Sequence, residues 1–424
     1  MRFKLEKYVI SIPSPFQSKF ATDPDRKFRR GKFTSRLFLE TMVNLVTGTN
    51  MNGAAIALMH VFAISRKQMT PWASSFSRLR KRIHWSWFQE VFDSLLKHCD
   101  RQLVTYGGLR VIAVDGQQLC LRRSADIVKH GYNGRVTGDY RETFLPRGFL
   151  VAAYDVINGI CLGFTFNSTL NEPKDARNLL KRLPSKALFI YDRLYFSKNM
   201  ISAHIDHGSR FLFRCRRNAK REILEFFQIK KLKSSFEYGG TRIHLIRVKN
   251  AKTGKYSIFA TDLAEDLRSP TKIDALYRSR WEIENSFRDS TATLRTEEWH
   301  SKTFNGNMQE IYTAYWFLNL AKLASNEACQ KVFDPDEMTY TKVNFKLTTQ
   351  YLREKFNEIW VKFYRIVAHL ESLSKNTTAK RVHCKRRYKR ELKRPRSPYP
   401  HIKTGWNWER LHHEIPTLPR PSRA

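Results

Sequence analysis

The sequence predicts a mixed α/β fold with helical regions on either side, and three stretches carry that expectation. Leu109-Arg-Val-Ile-Ala-Val114 is a short, almost unbroken β-type run. Ala187-Leu-Phe-Ile-Tyr191 is fully apolar, as a strand buried on both faces should be. Residues 271–305, by contrast, contain neither Pro nor Gly and repeat Leu276, Ile283, Phe287 and Leu294 at helical spacing. Strand hairpins first, then a helix and a buried strand, make an α/β or α+β core with a mixed sheet.

Taken in order, residues 1–32 mix Pro13, Pro15 and Pro24 with basic residues and read as an extended arm. Thr34 can cap a first helix that ends near Gly48, and 54–64 is a second. A third starts near Pro71, with Phe76, Leu79 and Ile83 on one side and Arg78, Arg80, Lys81 and Arg82 largely on the others; a fourth covers 87–98. The basic third helix suits phosphates or a groove, and equally a solvated face. After Tyr106-Gly-Gly108 the first strand runs to Asp115-Gly116, beyond which 118–121 is expected to return as its hairpin partner. Residues 149–156 and 160–166 flank Asn158-Gly159 as a second pair, 176–183 is an amphipathic helix, and the buried strand ends at Asp192-Arg193. From 209 to 263 three strand-like runs read as a β insertion with outward Arg and Lys. The long helix at 271–305 comes next, then an apolar helix at 308–324 and a helical segment to about 373. Residues 380–396 hold ten bases against Glu391 alone. The domains expected are 1–108 (arm and helical module), 109–330 (α/β core with the β insertion at about 205–265) and 331–424 (helical region with basic tail).

A formal charge of +37, from 76 Lys and Arg against 39 Asp and Glu, calls for a polyanionic partner, and nucleic acid is the expected one. An anionic membrane is the competing surface, but no apolar run approaches the roughly 18 residues of a spanning helix and the N-terminal residues lack a signal-peptide core. Six cysteines lie singly, with no metal-ligand spacing among them or the thirteen histidines, so free thiols in a reducing compartment are expected and zinc is not.

Three carboxylates stand out by position. Asp115 and Asp192 end core strands, where ligands of α/β sheets bind. Glu284 lies on a polar helix face shared with Tyr277, Arg280, Thr291 and Arg295. Each also has a structural reading: Asp115-Gly116 as a turn pair, Asp192 as a cap, Glu284 as the partner of Arg280 or Arg288. Clustered, they would need a compensating cation. Two Mg²⁺ ions, with Mn²⁺ as a substitute, held about 4 Å apart could activate a water or 3′-hydroxyl on a phosphodiester.

The order of these motifs, through Val111-Ile-Ala-Val-Asp-Gly116, Asn171-Glu172, Ile190-Tyr-Asp-Arg193, Phe211-Leu-Phe-Arg-Cys-Arg-Arg-Asn218 and Tyr277-Arg-Ser-Arg-Trp-Glu-Ile-Glu284, resembles the DDE transposases of bacterial insertion sequences, in the insertion-sequence-four-like group with the Y-R-E-K signature. The resemblance covers about residues 30–325. It implies that 1–108 holds a DNA-binding module and 109–330 an RNase H-like catalytic core, with Asp115, Asp192 and Glu284 as the metal-binding triad and Tyr277 and Arg280 on DNA backbone phosphates. Arg193, Arg214, Arg80 and Lys81 are further candidates for DNA contact. It also implies cut-and-paste transposition through a hairpin intermediate, double-stranded DNA as partner, a homodimer on DNA, and a cytoplasmic, nucleoid-associated protein. The rivals are a catalytically silent DNA-binding derivative, for which the triad would have to be broken, and a structure-selective nuclease, which would lack strand joining. Two departures stand out. The Lys expected seven residues after Glu284 is Thr291, whose role Arg295 or Arg288 could take, and no Trp for base stacking occurs between Arg193 and Arg280.

Overall fold

Thr34 accepts a hydrogen bond from the Leu37 amide and opens α1 (Ser35–Val46), as its position before an apolar run leads one to expect. The computed structural model describes residues 12–23, 33–48, 53–99, 104–132, 146–229, 231–249, 254–294 and 296–332, with the shorter pieces 341–342, 345–356, 358–359, 366–372 and 379–380. All lie within one unit, Met1–Lys380. The basic tail at 380–396 falls, apart from its first residue, outside the described residues. After α1 come α2 (Gly53–Leu58), which widens into a π-helical stretch at Met59–Ile64, then α3 (Ala73–Arg82) and α4 (Ser86–Cys99). Part of the expected arm belongs to this module. Phe20 is buried, and residues 20–22 exchange backbone hydrogen bonds with Arg82 and His84.

The sheet starts from β1 (Arg110–Cys120), which pairs antiparallel with β2 (Arg147–Asp155). Here the expected hairpin at Asp115-Gly116 is not formed. One strand runs straight through both residues, and Gly116 lacks the positive φ that a type I′ turn requires. The short α5 (Ala125–Lys129) follows, and β2 pairs with β3 (Ile160–Asn167) across a turn in which Gly159 takes φ +71°. On its other side β1 pairs in parallel with β4 (Ala187–Tyr191), and β4 with β5 (Arg210–Arg214). Every residue of β4 is buried, as its composition predicts. The crossovers are α6 (Glu172–Leu180), capped by Asn171, and α7 (Lys198–His207), capped by Ser197 and ended by left-handed Gly208. The order β3-β2-β1-β4-β5, antiparallel then parallel, is that of an RNase H-like fold.

The β insertion does not stand apart from the core. After α8 (Arg221–Gln228), which the strand-like reading of 209–263 missed, β6 (Lys233–Tyr238), β7 (Thr241–Lys249) and β8 (Tyr256–Thr261) add to the same sheet. β8 pairs with β5, giving eight strands ordered β3-β2-β1-β4-β5-β8-β7-β6.

The expected helix at 271–305 is three pieces. α9 (Pro270–Ser279) meets α10 (Trp281–Arg288) at Arg280, where the amide of Arg280 bonds Tyr277 O and that of Ile283 bonds Arg280 O, a tightened turn. A π turn, Asp289–Thr293, follows and closes with Leu294 N on Asp289 O. The wider turn shifts the helical phase, so the face through Tyr277 and Glu284 is not continued to Thr291 at the ideal offset. Then the mostly buried α11 (Phe304–Val332) packs against α1, α4 and β3, joining helical module to sheet, and a further helix, α12 (Phe345–Glu354), packs on α11. No helix among the described residues is long and apolar enough to cross a membrane.

Candidate active site

Register brings the first two carboxylates together. In the parallel pair β1/β4 the last matched residues are Val114 and Tyr191, so Asp115 and Asp192 follow side by side on neighbouring strands, about 4.8 Å apart in the backbone. Asp115 is not at a strand end. It keeps its place in the ladder with β2, opposite Ala152, while its carboxylate accepts the Gly116 amide at 2.9 Å.

Glu284 reaches the pair through Arg280. One guanidinium nitrogen of Arg280 donates to Asp115 Oδ2 at 2.8 Å and the other to Glu284 Oε1 at 2.6 Å, so a single buried cation bridges β1 and α10. Of the two expected partners of Glu284, Arg280 is the one found; Arg288 is exposed and does not pair with it. Tyr277 Oη donates to Asp192 Oδ1 at 3.2 Å, which ties α9 to the second carboxylate. Burial raises the Asp115 pKa above the ordinary carboxylate value, an effect opposed by Arg280 and added to by Glu284. Burial and the Asp192 carboxylate likewise raise the Tyr277 phenol, keeping it a donor.

The fourth acid of this group is Glu172, the first residue of α6. It accepts the Tyr195 hydroxyl at 2.9 Å. Its pKa is raised by burial, with Asp115 and Asp192 adding to the rise. Glu172 has no role assigned from the sequence alone; the signal available was a carboxylate just after a helix cap, opening the crossover between two core strands.

Beside Asp192 opens a cavity of about 650 Å³, lined by Arg193, Arg214, Tyr277, Arg278 and Trp281. Arg193 is exposed, and the Arg214 guanidinium lies 6.0 Å from the Tyr277 ring. Trp281 is 56% exposed here, and Arg278, which the sequence reading had not singled out, pairs with Asp274 at its rim. The remaining basic candidates separate. Lys81 is exposed on α3. Arg80 points inward, donating to Gln309, to the Gly306 carbonyl and to Glu310 at 2.6 Å, so the phosphate contact expected of it is replaced by a tie between α3 and α11. The Thr291 hydroxyl is turned back onto Phe287 O, and Arg295 lies outside the described residues.

Among the described residues no three His, Cys, Asp or Glu side chains converge closely enough to hold an ion. The chemistry of the donors nevertheless suits a hard divalent cation, because all are carboxylate oxygens; Arg280 is the cation that such an ion would compete with at Asp115 and Glu284.

A protein-family model described as the transposase DDE domain matches residues 106–320, half of the chain. No curated protein matches it. A cryo-EM structure of piggyBac transposase in a synaptic complex with hairpin DNA is similar at 11% identity and a TM-score of 0.48, over 89% of this chain and 88% of that one.

Proposed function

The chain belongs to the transposase DDE-domain family, and from that premise we propose that it cuts DNA at the ends of an insertion sequence and joins those ends to target DNA, with Asp115, Asp192 and Glu284 as the catalytic carboxylates. The observation that carries this reading is the adjacency of Asp115 and Asp192 in the β1/β4 register, with Glu284 linked to Asp115 by one guanidinium. Residues 77 and 169 positions away from Asp115 in sequence come together with it at the middle of the sheet only through the fold.

Asp115, Asp192 and Glu284 would hold Mg²⁺, or Mn²⁺ in its place, which when bound lowers the pKa of an attacking water or hydroxyl and stabilises the leaving oxygen. The residues of the chain supply the rest. Tyr277 orients Asp192 through its hydroxyl. Arg193, Arg214 and Arg278 line the cavity beside Asp192 and present charge to a phosphodiester backbone. Double-stranded DNA is the substrate on this reading, and the protein works as a homodimer on it.

The test is single-turnover cleavage of a labelled DNA carrying the element end, with Mg²⁺. Asp192→Asn should reduce cleavage at least a thousandfold, on the order of a lost electrostatic contact, while DNA affinity, set by many phosphate contacts, stays within a few-fold. Cleavage by Asp192→Asn near the parent rate would sink the assignment. Cleavage without joining by the parent would favour a nuclease.

A further inference from the structure

Tyr195 follows Asp192 by three residues, and its amide closes a turn on the Asp192 carbonyl at 3.2 Å. The side chain is 1% exposed, its ring centred 5.3 Å from that of Tyr191, and its hydroxyl donates to Glu172 Oε2. A buried phenol needs a partner, and here the partner is the half-buried carboxylate that opens α6.

Glu172 is in turn laid against β1. A Cβ built at Gly116 would stand 2.6 Å from Glu172 Cδ and 2.7 Å from Oε1. Gly116 lies outside the left-handed region, so its backbone makes no demand for glycine. What demands it is the approach of the Glu172 carboxyl to the residue that follows Asp115. Oε2 is engaged by Tyr195, whereas Oε1 accepts no hydrogen bond among the described residues.

We infer that Glu172 is a fourth carboxylate of the site, a ligand for the divalent cation together with Asp115 and Asp192, and that Tyr195 is its positioning residue. The inference rests on the metal-dependent reading above. Its alternative is that Glu172 is only an acid at a helix N-terminus, favourable to the α6 dipole and to Tyr195.

Glu172→Gln separates the two, because it keeps size and an acceptor for Tyr195 while removing the charge. The measurement is Mn²⁺ binding to the full-length protein without DNA, read from the free-Mn²⁺ electron paramagnetic resonance signal, with Asp192→Asn alongside. Glu172→Gln and Asp192→Asn should each weaken Mn²⁺ binding at least tenfold, and Tyr195→Phe about tenfold, as loss of an outer partner of a ligand does. The thermal midpoint of Glu172→Gln should stay near that of the parent. If Asp192→Asn loses Mn²⁺ and Glu172→Gln binds it like the parent, Glu172 is a helix-end acid and the inference is wrong. A parent that binds no Mn²⁺, or an Asp192→Asn variant that binds it undiminished, overturns the metal reading and the inference with it. Should Glu172→Gln unfold, Glu172→Asp, with a shorter reach, must also lose Mn²⁺ affinity in a folded protein; unchanged affinity there overturns the inference too.

Discussion

Arg280 is the residue on which the site's electrostatics turn, because it is buried and spans two carboxylates on different elements. Arg280→Ala leaves Asp115 and Glu284 without their shared donor and should cost about 2 kcal/mol, the scale of charge-assisted hydrogen bonds, read as a lower urea midpoint. Arg280→Lys should recover only part of that loss, since an ammonium lacks the planar fork that reaches both carboxylates. Gly116 makes the opposite prediction. In Gly116→Ala the new methyl meets the Glu172 carboxyl rather than backbone, so stability should change by only about 1 kcal/mol, the low end for an inserted methyl, while Mn²⁺ affinity falls. Equal losses of stability and of metal binding would show that the clash spreads beyond Glu172.

Among elements, the junction of α3 with α11 couples the helical module to the core. Arg80 and Glu310 are both buried, and His300 adds a backbone amide to the second Glu310 oxygen at 3.1 Å. Burial pushes the Glu310 carboxyl up, but Arg80 and His300 outweigh it and hold the pKa below its ordinary value of 4.5. A depressed folded pKa contributes stability that is present above the unfolded value and is lost as pH falls through the folded one. The urea midpoint of the parent should therefore drop on going from pH 7 to below 4.5 by more than that of Glu310→Gln; parallel profiles would remove Glu310 from the acid response. Glu310→Leu should cost about 3 kcal/mol at pH 7, because it strands a buried guanidinium.

On the scale of the whole molecule, the charge of +37 sets how binding to DNA depends on salt. Ten of the bases lie in the seventeen residues 380–396, so truncation before Lys380 should flatten the slope of log K against log salt, each phosphate contact contributing about 0.9. An unchanged slope, measured by fluorescence anisotropy on a non-specific duplex, would give the tail another partner.

The sequence by itself determined the elements whose burial is uniform or whose ends are chemically marked: β4, apolar throughout and buried throughout, the Thr34 cap of α1, and the β2/β3 pair turning at Gly159. It also singled out Asp115, Asp192 and Glu284, because unusual positions for carboxylates are visible without coordinates. Only the tertiary structure decided what depended on partners distant in the chain. Asp115-Gly116 reads as a turn, yet β2 pairs with the strand through both residues and holds it extended, and the glycine serves the approach of Glu172. Arg80 reads as a solvated base until Glu310, 230 residues on, supplies its counter-charge. Ideal helical spacing carried the polar face to Thr291 and Arg295, but a tightened turn at Arg280 and a π turn at Asp289–Thr293 reset the phase. Local propensity records which residues a segment tolerates; which oxygen meets which nitrogen is a property of register and packing, and those are set by the whole chain.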